Sequence, residues 1–199
     1  MNKQPTIPFI PFPKLARFSR EIVITEKIDG TNAQIYIEGD NIYAGSRTRW
    51  IDLGDDNFGF AAWVEQNKTE LLQLGPGSHF GEWWGAGIQR KYNQKEKRFS
   101  LFNTSRWCVK GATPLAFPTS DPRENKTQVF APACCGVVLD TVRGPFTTEV
   151  VDMQIERLRL LGSVVAPGFM NPEGVVVFHT ASGVLFKKTC VDDHKPKSL

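Results

Sequence analysis

Short apolar segments joined by tight turns are the feature that most limits what this chain can fold into. Some are separated by only a few small or polar residues, as at residues 39–41 (GDN) and 181–183 (ASG). Strands joined by turns this short must run antiparallel, because a parallel connection needs a dozen or more residues. The predicted strands are residues 22–28, 33–37, 42–46, 78–84, 98–102, 135–142, 173–178 and 184–188.

Two helices are predicted beside these strands, so the expected fold class is α+β, with antiparallel sheets flanked by helices. The first helix covers about 58–74 and stops at a Gly-Pro-Gly sequence. The second begins after a cap at Thr147 or Thr148, carries apolar residues on one face and ends at Gly162. The proline-rich stretches predicted to lack regular structure are residues 5–19 and most of 103–133.

The composition fits one globular domain over residues 1–199. Hydrophobic residues make up 41% of the chain and charged residues 23%, which excludes a wholly disordered protein. The formal charge of +3 does not by itself indicate nucleic-acid binding, but it is compatible with a local basic groove. Four cysteines without a Cys-x-x-Cys spacing argue against a zinc ribbon. Because the sequence shows no secretory leader and no membrane span, we expect reduced thiols and a cytoplasmic location.

Residues 26–32, with the sequence EKIDGTN, carry the clearest chemical signal. Lys27 stands at the end of an apolar strand, immediately before an Asp-Gly turn. A lysine acts as a nucleophile when burial or a neighbouring cation favours its neutral amine. The alternative is a surface lysine in an ordinary hairpin turn.

Charged residues also stand at three other predicted strands. Glu82 lies between a glycine and two tryptophans, and Glu173 precedes the apolar sequence GVVV. An unpaired glutamate is rarely buried, so each is either half of an ion pair or a ligand contact. Lys187 and Lys188 are adjacent on a strand, so their side chains point to opposite faces and only one can serve a given site.

A basic run, RKYNQKEKR, occupies residues 90–98. It is either a solvated loop or a contact surface for a polynucleotide or for pyrophosphate. The sequence does not decide between these two interpretations.

Taken in order, these segments resemble the motifs of the covalent nucleotidyltransferase superfamily, which includes ATP-dependent DNA ligases, RNA ligases and mRNA capping enzymes. The order is Lys-x-Asp-Gly, an arginine, Gly-Glu, Phe-x-x-Phe, Glu-Gly with apolar residues, and a lysine near the C-terminus. The sequences EKIDGTN, GEWWGAGIQR and EGVVV are most similar to the RNA ligase 2 branch and to short phage and bacterial proteins of that type. The resemblance covers about residues 20–190. It implies an ATP-grasp-like nucleotidyltransferase domain. Because the chain ends soon after Lys187, we expect no C-terminal OB-fold domain.

The resemblance also implies a role for each matching residue. Lys27 would attack the α-phosphate of ATP and carry AMP, and Glu26 would contact the nucleotide through its backbone or side chain. Asp29 would orient the lysine or a metal-bound water, and Glu173 would coordinate Mg²⁺ or Mn²⁺. The remaining nucleotide-site candidates are Gly30 in the motif turn, Asn32 for the later polynucleotide steps, Arg47 for phosphates or ribose, Glu82 for the ribose hydroxyls, Phe102 for stacking on adenine unless it is ordinary core, and Lys187 or Lys188 for phosphate.

The activity that the resemblance implies is ATP-dependent ligation of RNA or of a nicked nucleic acid. AMP would pass from Lys27 to a 5′-phosphate, and a 3′-hydroxyl would then seal the strand. Three alternatives stay open: a DNA ligase, a capping-type guanylyltransferase, and a nucleotide- or nucleic-acid-binding protein with a degenerate site. No membrane partner is expected, while a separate strand-binding partner protein and the oligomeric state are left open.

Overall fold

Two large β-sheets, a small two-stranded sheet and several helices make up the computed structural model, which describes residues 7–109, 128–138, 140–191 and 193–194. This arrangement confirms the predicted α+β class. The strands are β1 Glu21–Lys27, β2 Thr31–Glu38, β3 Asn41–Gly45, β4 Trp50–Ile51, β5 Gly77–Gly85, β6 Lys97–Leu101, β7 Cys108–Val109, β8 Gln128–Val129, β9 Cys135–Val137, β10 Asp140–Pro145, β11 Gly174–His179 and β12 Val184–Thr189.

A four-stranded antiparallel sheet has the order β10-β1-β11-β12. Helix α4 (Thr148–Leu161) packs on one of its faces and shares a core with it. The hydroxyl of Thr147 caps the helix by accepting from the Val150 N–H at 3.2 Å, and Gly162 with φ 78° ends it. The second predicted helix is therefore confirmed. The shared core comprises Ile22, Ile24, Val151, Ile155, Leu158, Val175, Val177 and Cys190.

A six-stranded sheet has the order β4-β3-β2-β5-β6-β9 and is antiparallel except for the β6–β9 pair. The first predicted helix covers it as three pieces, which are α1 (Phe60–Gln66), α2 (Lys68–Leu71) and a 3₁₀ turn (Leu72–Leu74). The break falls at Asn67, whose side-chain amide donates to the Trp63 carbonyl at 2.8 Å. The buried core here includes Ile35, Phe60, Leu71, Trp83, Phe99 and Leu101.

The predicted single strand over 135–142 is wrong. Its residues form two strands in different sheets: β9 pairs with β6, and β10 pairs with β1. The apolar run is continuous in sequence, but the chain crosses from one sheet to the other within it. Periodicity cannot reveal such a crossing, because both halves are strand-like.

The stretches predicted to lack regular structure differ in outcome. Residues 7–19 carry no helix or strand in the structure, while 5 and 6 lie outside the described residues. The 103–133 region contains a short helix, α3 (Thr104–Trp107), and the small β7–β8 sheet, while 110–127 lie outside the described residues. In the described part of the chain, no helix has the length and apolar character needed to cross a membrane.

A third apolar cluster draws on segments adjoining both sheets. Ile28 follows β1 of the four-stranded sheet, while Trp84 lies on β5 of the six-stranded sheet. The two pack together with Tyr92, Val138, Ala166 and Phe169. This cluster fixes the end of β1 against the end of β5.

Candidate active site

Lys27 and Glu173 form the centre of the site. Lys27 is the last residue of β1 and pairs with Gly174, the first residue of β11, so the antiparallel register brings Glu173 beside it. The Lys27 Nζ donates to Glu173 Oε2 at 2.6 Å. The Glu173 side chain is 5% exposed and that of Lys27 is 23% exposed. The lysine therefore lies partly open to solvent beside a buried carboxylate.

Tyr92 holds the turn that follows Lys27. Its buried hydroxyl accepts from the Asp29 N–H at 2.9 Å and donates to the Lys27 carbonyl oxygen at 3.5 Å. Burial raises the pKa of Tyr92, so the hydroxyl stays protonated. One side chain thus holds the backbone of Lys27 and of the turn that follows it.

Gly30 brings this turn against β5. A Cβ at Gly30 would lie 2.4 Å from the Trp83 carbonyl oxygen and 2.8 Å from the Trp84 Cβ, so only glycine fits without a backbone shift. The close approach lets the Gly30 N–H donate to Glu82 Oε1 at 3.1 Å. Glycine is required here because the backbone of the turn contacts the six-stranded sheet.

Arg90 connects the turn to the segment before β11. Its Nε donates to Asp29 Oδ2 at 2.9 Å. Its Nη1 donates to the Asn171 carbonyl at 3.0 Å and to Asn171 Oδ1 at 2.8 Å. The interpretation of the basic run over 90–98 as a solvated loop is therefore wrong for Arg90, because this side chain bridges two segments of the site. A contact with a polynucleotide or with pyrophosphate stays a prediction.

Glu82 occupies the wall of the site on the six-stranded sheet. Its Oε2 accepts from Asn32 Nδ2 at 3.0 Å, in addition to the Gly30 contact. Burial raises the pKa of Glu82 to about 7, against the lowering effect of Lys27, while Glu173 adds a smaller increase. The contacts with Gly30 and Asn32 bring Glu82 to the turn that follows Lys27.

The face of the six-stranded sheet that carries Glu82 continues beyond it. Asn32, Glu82 and Ser100 lie side by side across β2, β5 and β6. Because side chains alternate along a strand, the next positions on this face are Gln34, Phe80 and then Phe102, just past β6. Phe102 is 43% exposed and Phe80 is 55% exposed. The interpretation of Phe102 as ordinary core is therefore wrong.

Arg47 lies in the turn between β3 and β4 and is exposed. Gly45, two residues earlier, pairs with Gln34, so the turn lies at the end of β3 that is nearer to Asn32. The structure thus places the arginine at the open rim of the face that carries Glu82.

The two adjacent lysines point to opposite faces, as predicted. Lys187 pairs with Val176, which pairs with Thr25, and Thr25 is on the same face of β1 as Lys27. Lys188 is on the other face, where it forms an ion pair with Asp152 of α4. Lys188 is therefore not brought into the site, because its side chain is held on the helix side of the sheet.

Glu26 also points away from Lys27, since consecutive residues alternate on β1. It is 2% exposed, and its carboxylate accepts from Ser163 Oγ at 2.7 Å and from the N–H groups of Val164 at 2.6 Å and Val165 at 3.2 Å. Burial raises its pKa, an effect that these hydrogen bonds oppose. The expected side-chain contact with a nucleotide is therefore wrong, because this carboxylate anchors the loop after α4; contact through the backbone stays a prediction.

Sequence reasoning missed four residues that shape the site. Arg90 and Tyr92 belong to a basic run whose composition is typical of a charged loop. Phe80 lies two residues before Glu82, and its type alone does not indicate a role in the site. Asn171 and its neighbours carry no pattern at all. The one usable signal was Tyr92, the single aromatic in a strongly basic stretch, which is an unusual place for a large ring.

The arrangement offers a partly exposed amine, buried carboxylates and an open sheet face with an aromatic side chain. Within the described residues, no three His, Cys, Asp or Glu side chains form a ready-made metal cluster. Glu173 is the carboxylate nearest the amine, so a hard divalent cation here would need oxygens from a ligand as well. The site is suited to a phosphate-bearing ligand placed against Lys27.

One family model and several solved structures match this chain. A family model described as RNA ligase matches residues 20–187, whereas no curated protein matches the chain. Similar solved structures include RNA ligase from Naegleria gruberi. A variant with AMP and Mn has a TM-score of 0.54 and 19% identity, covering 86% of this chain and 50% of that one. A variant with ATP and Mn has a TM-score of 0.54 and 18% identity, covering 87% and 51%.

A third structure of that ligase, with PPi, has a TM-score of 0.52 and 18% identity, covering 86% of this chain and 50% of that one. The chain therefore spans about half the length of the solved structures it matches. At this level of identity the likeness establishes a shared fold.

Proposed function

The chain belongs to the RNA ligase family, and on that premise we propose that it is an ATP-dependent RNA ligase that works through a covalent Lys27–AMP intermediate. The observation that carries the proposal is the 2.6 Å contact between the Lys27 amine and buried Glu173, on a face that also presents Lys187. Solved relatives with ATP, AMP or PPi support a nucleotide ligand.

In the first step, Lys27 Nζ attacks the α-phosphorus of ATP. The new bond is N–P, the bond that breaks joins the α-phosphorus to the bridging oxygen, and pyrophosphate leaves. The ammonium must first lose a proton, and Glu173 is within reach to accept it. Lys187, as a cation on the same face, offsets the charge that develops on the phosphates.

The open face of the six-stranded sheet would hold the nucleoside. Glu82 has its oxygens fixed by Gly30 and Asn32, and each oxygen keeps a second lone pair for a ribose hydroxyl. Phe102 offers an exposed ring on which adenine would stack. Arg47 at the rim would contact the phosphates.

A divalent cation fits this donor set. Mg²⁺ or Mn²⁺ would be held by Glu173 together with phosphate oxygens and water, since such ions use one or two carboxylates plus substrate phosphates. When bound, the ion supplies charge neutralisation at the phosphates. Asp29, which is paired with Arg90, would position the lysine turn.

The later steps join the strand. An oxygen of the RNA 5′-phosphate attacks the adenylyl phosphorus, the N–P bond breaks, and Lys27 regains its proton. The 3′-hydroxyl then attacks the 5′-phosphorus and AMP leaves, so one phosphodiester forms for each ATP split. Asn32, beside Glu82, would orient the strand in these steps.

The decisive experiment is intact mass spectrometry of the purified protein after incubation with ATP and Mg²⁺. The expected result is a gain of one AMP that is absent from Lys27→Ala and absent when GTP replaces ATP. An adduct with GTP only would indicate a capping-type enzyme, and no adduct at all would sink the proposal. Joining assays on matched RNA and DNA nicks would then separate an RNA ligase from a DNA ligase.

A further inference from the structure

Three aromatic side chains cluster on the six-stranded sheet, on the face that carries Glu82. Their ring centroids lie 6.1 Å (Tyr36–Tyr43), 6.0 Å (Tyr36–Trp50) and 6.3 Å (Tyr43–Trp50) apart. Tyr43 is 44% exposed and Trp50 is 56% exposed. Single exposed aromatics are ordinary, but a contiguous exposed group indicates a binding surface.

The backbone is arranged to build this cluster. Tyr36 pairs with Tyr43 across β2 and β3, and Gly45 pairs with Trp50 across β3 and β4. A Cβ at Gly45 would lie 3.1 and 3.2 Å from two ring carbons of Trp50. The indole therefore lies over a position that has no side chain, which lets it lie close to the sheet beside the tyrosines.

The cluster is continuous with the candidate active site. Side-chain alternation puts Asn32, Gln34 and Tyr36 on one face of β2. Tyr36 is four residues from Asn32, or about 13 Å at roughly 3.3 Å per residue. The β3–β4 turn with Arg47 lies at the rim, toward the Asn32 end of this row.

We propose that the Tyr36–Tyr43–Trp50 cluster is a stacking surface for the bases of the RNA strand on which the active site acts. This inference rests on the proposed function, because it assigns the substrate of that function a second contact. Every base has a π face, so an aromatic surface binds a strand without reading its sequence. Exposed rings at the edge of the catalytic face suit an unpaired segment.

The charges around the cluster fix the path of the strand. Arg47 is exposed in the β3–β4 turn, and Arg49 in the same turn forms an ion pair with Asp55. Glu38 lies at the far end of β2, two residues beyond Tyr36 on the same face. An anionic backbone is attracted toward Arg47 and repelled from Glu38, so the strand is expected to run from the cluster toward Lys27.

The test measures binding of a fluorescein-labelled, 3′-blocked oligouridylate of about 12 nucleotides to the full chain by anisotropy. Trp50→Ala and Tyr43→Ala are each expected to weaken binding about 5- to 150-fold, the effect of losing one stacked base. Trp50→Phe should recover most of the loss. The matched control is Phe186→Ala, an equally exposed ring (57%) on the other sheet, which should bind as the wild type does.

A second probe separates stacking from charge. An abasic oligonucleotide of the same length keeps the phosphates, so its weaker binding should be insensitive to Trp50→Ala. Thermal melting of each variant shows whether it is folded. The stacking proposal is overturned if folded Trp50→Ala and Tyr43→Ala bind oligouridylate like the wild type. It is also overturned if the two variants lose as much affinity for the abasic probe as for oligouridylate.

Other occupants give different results. If the cluster joins two copies of the chain, the wild type sediments as a dimer that Trp50→Ala dissociates, which also overturns the proposal. AMP-adduct formation by the wild type is measured separately and without RNA. If no adduct forms, the proposed function is overturned, while the binding of oligouridylate still tests the role of the aromatic cluster.

Discussion

Lys27 Nζ and Glu173 Oε2 lie 2.6 Å apart although 146 positions separate them in the chain. The antiparallel pairing of β1 with β11 sets this contact, and the Tyr92 hydroxyl holds the backbone of Lys27 and Asp29 beside it. The pair holds the amine in one place and keeps a proton acceptor beside it. The chemistry proposed for this chain depends on that geometry.

Substitutions of Lys27 distinguish its role in AMP-adduct formation from its contribution to the stability of the fold. Both Lys27→Ala and Lys27→Arg should abolish AMP-adduct formation, because a guanidinium does not deprotonate in proteins. Lys27→Arg keeps a cation beside Glu173, whereas Lys27→Ala should lower the free energy of unfolding by about 2 kcal/mol. Intact mass and urea unfolding measure the two effects. Adduct formation by either variant would show that another residue is the nucleophile.

Tyr92→Phe should affect both stability and activity. It removes the hydroxyl that accepts from the Asp29 N–H, and an unsatisfied donor costs about 1–3 kcal/mol. The turn loosens, so the rate of adduct formation should also fall. Tyr43→Phe is the control, because its ring is exposed and the change should cost no more than about 0.5 kcal/mol. Equal unfolding curves for the two variants would refute the role of Tyr92.

Gly30→Ala tests the close approach of the turn to β5. The added Cβ would lie 2.4 Å from the Trp83 carbonyl, and such overpacking typically costs about 1–3 kcal/mol. Gly144→Ala on β10 is the matched control, since a Cβ there meets nothing within 4 Å. Urea unfolding should show a loss for the first variant only. A stable Gly30→Ala protein would mean that the turn does not contact the sheet this closely.

Glu82 should make stability depend on pH. Its pKa is about 7 in the folded chain against 4.5 for the ordinary value, so the folded state holds a proton that the unfolded state releases. Stability from this group is complete below pH 4.5 and is lost as the pH rises through 7, by about 3 kcal/mol. Glu82→Gln lacks this dependence. The comparison of unfolding free energies at pH 5 and pH 8 tests it, and parallel profiles would contradict it.

The adjacent lysines should behave differently. Lys187→Ala removes a cation from the face of Lys27, so adduct formation should slow and the KM for ATP should rise. Lys188→Ala breaks the surface ion pair with Asp152, which is worth at most about 1 kcal/mol, and adduct formation should persist. Single-turnover kinetics with ATP distinguishes the two. If Lys188→Ala slowed adduct formation more than Lys187→Ala, Lys188 rather than Lys187 would act in the site.

The local sequence was sufficient to predict most of the helices and strands. Thr147 and Gly162 bound α4 because capping is a property of neighbouring residues, and the short turns forced antiparallel pairing. The order of motifs led to Lys27, Glu82 and Glu173, which the structure brings into one site. The prediction of one strand over 135–142 failed because these residues belong to two sheets, and no local pattern marks where a chain changes sheets.

Tertiary structure alone decided how the site is held. Glu26 and Lys27 are neighbours in sequence, yet one anchors the loop after α4 and the other faces Glu173. Strand alternation predicts that they diverge, but which side is core depends on where α4 packs. Arg90 and Tyr92 acquire their roles only through contacts made across the fold. The sequence by itself determined the fold class and the chemical groups, and the packing of the two sheets determined which of those groups meet.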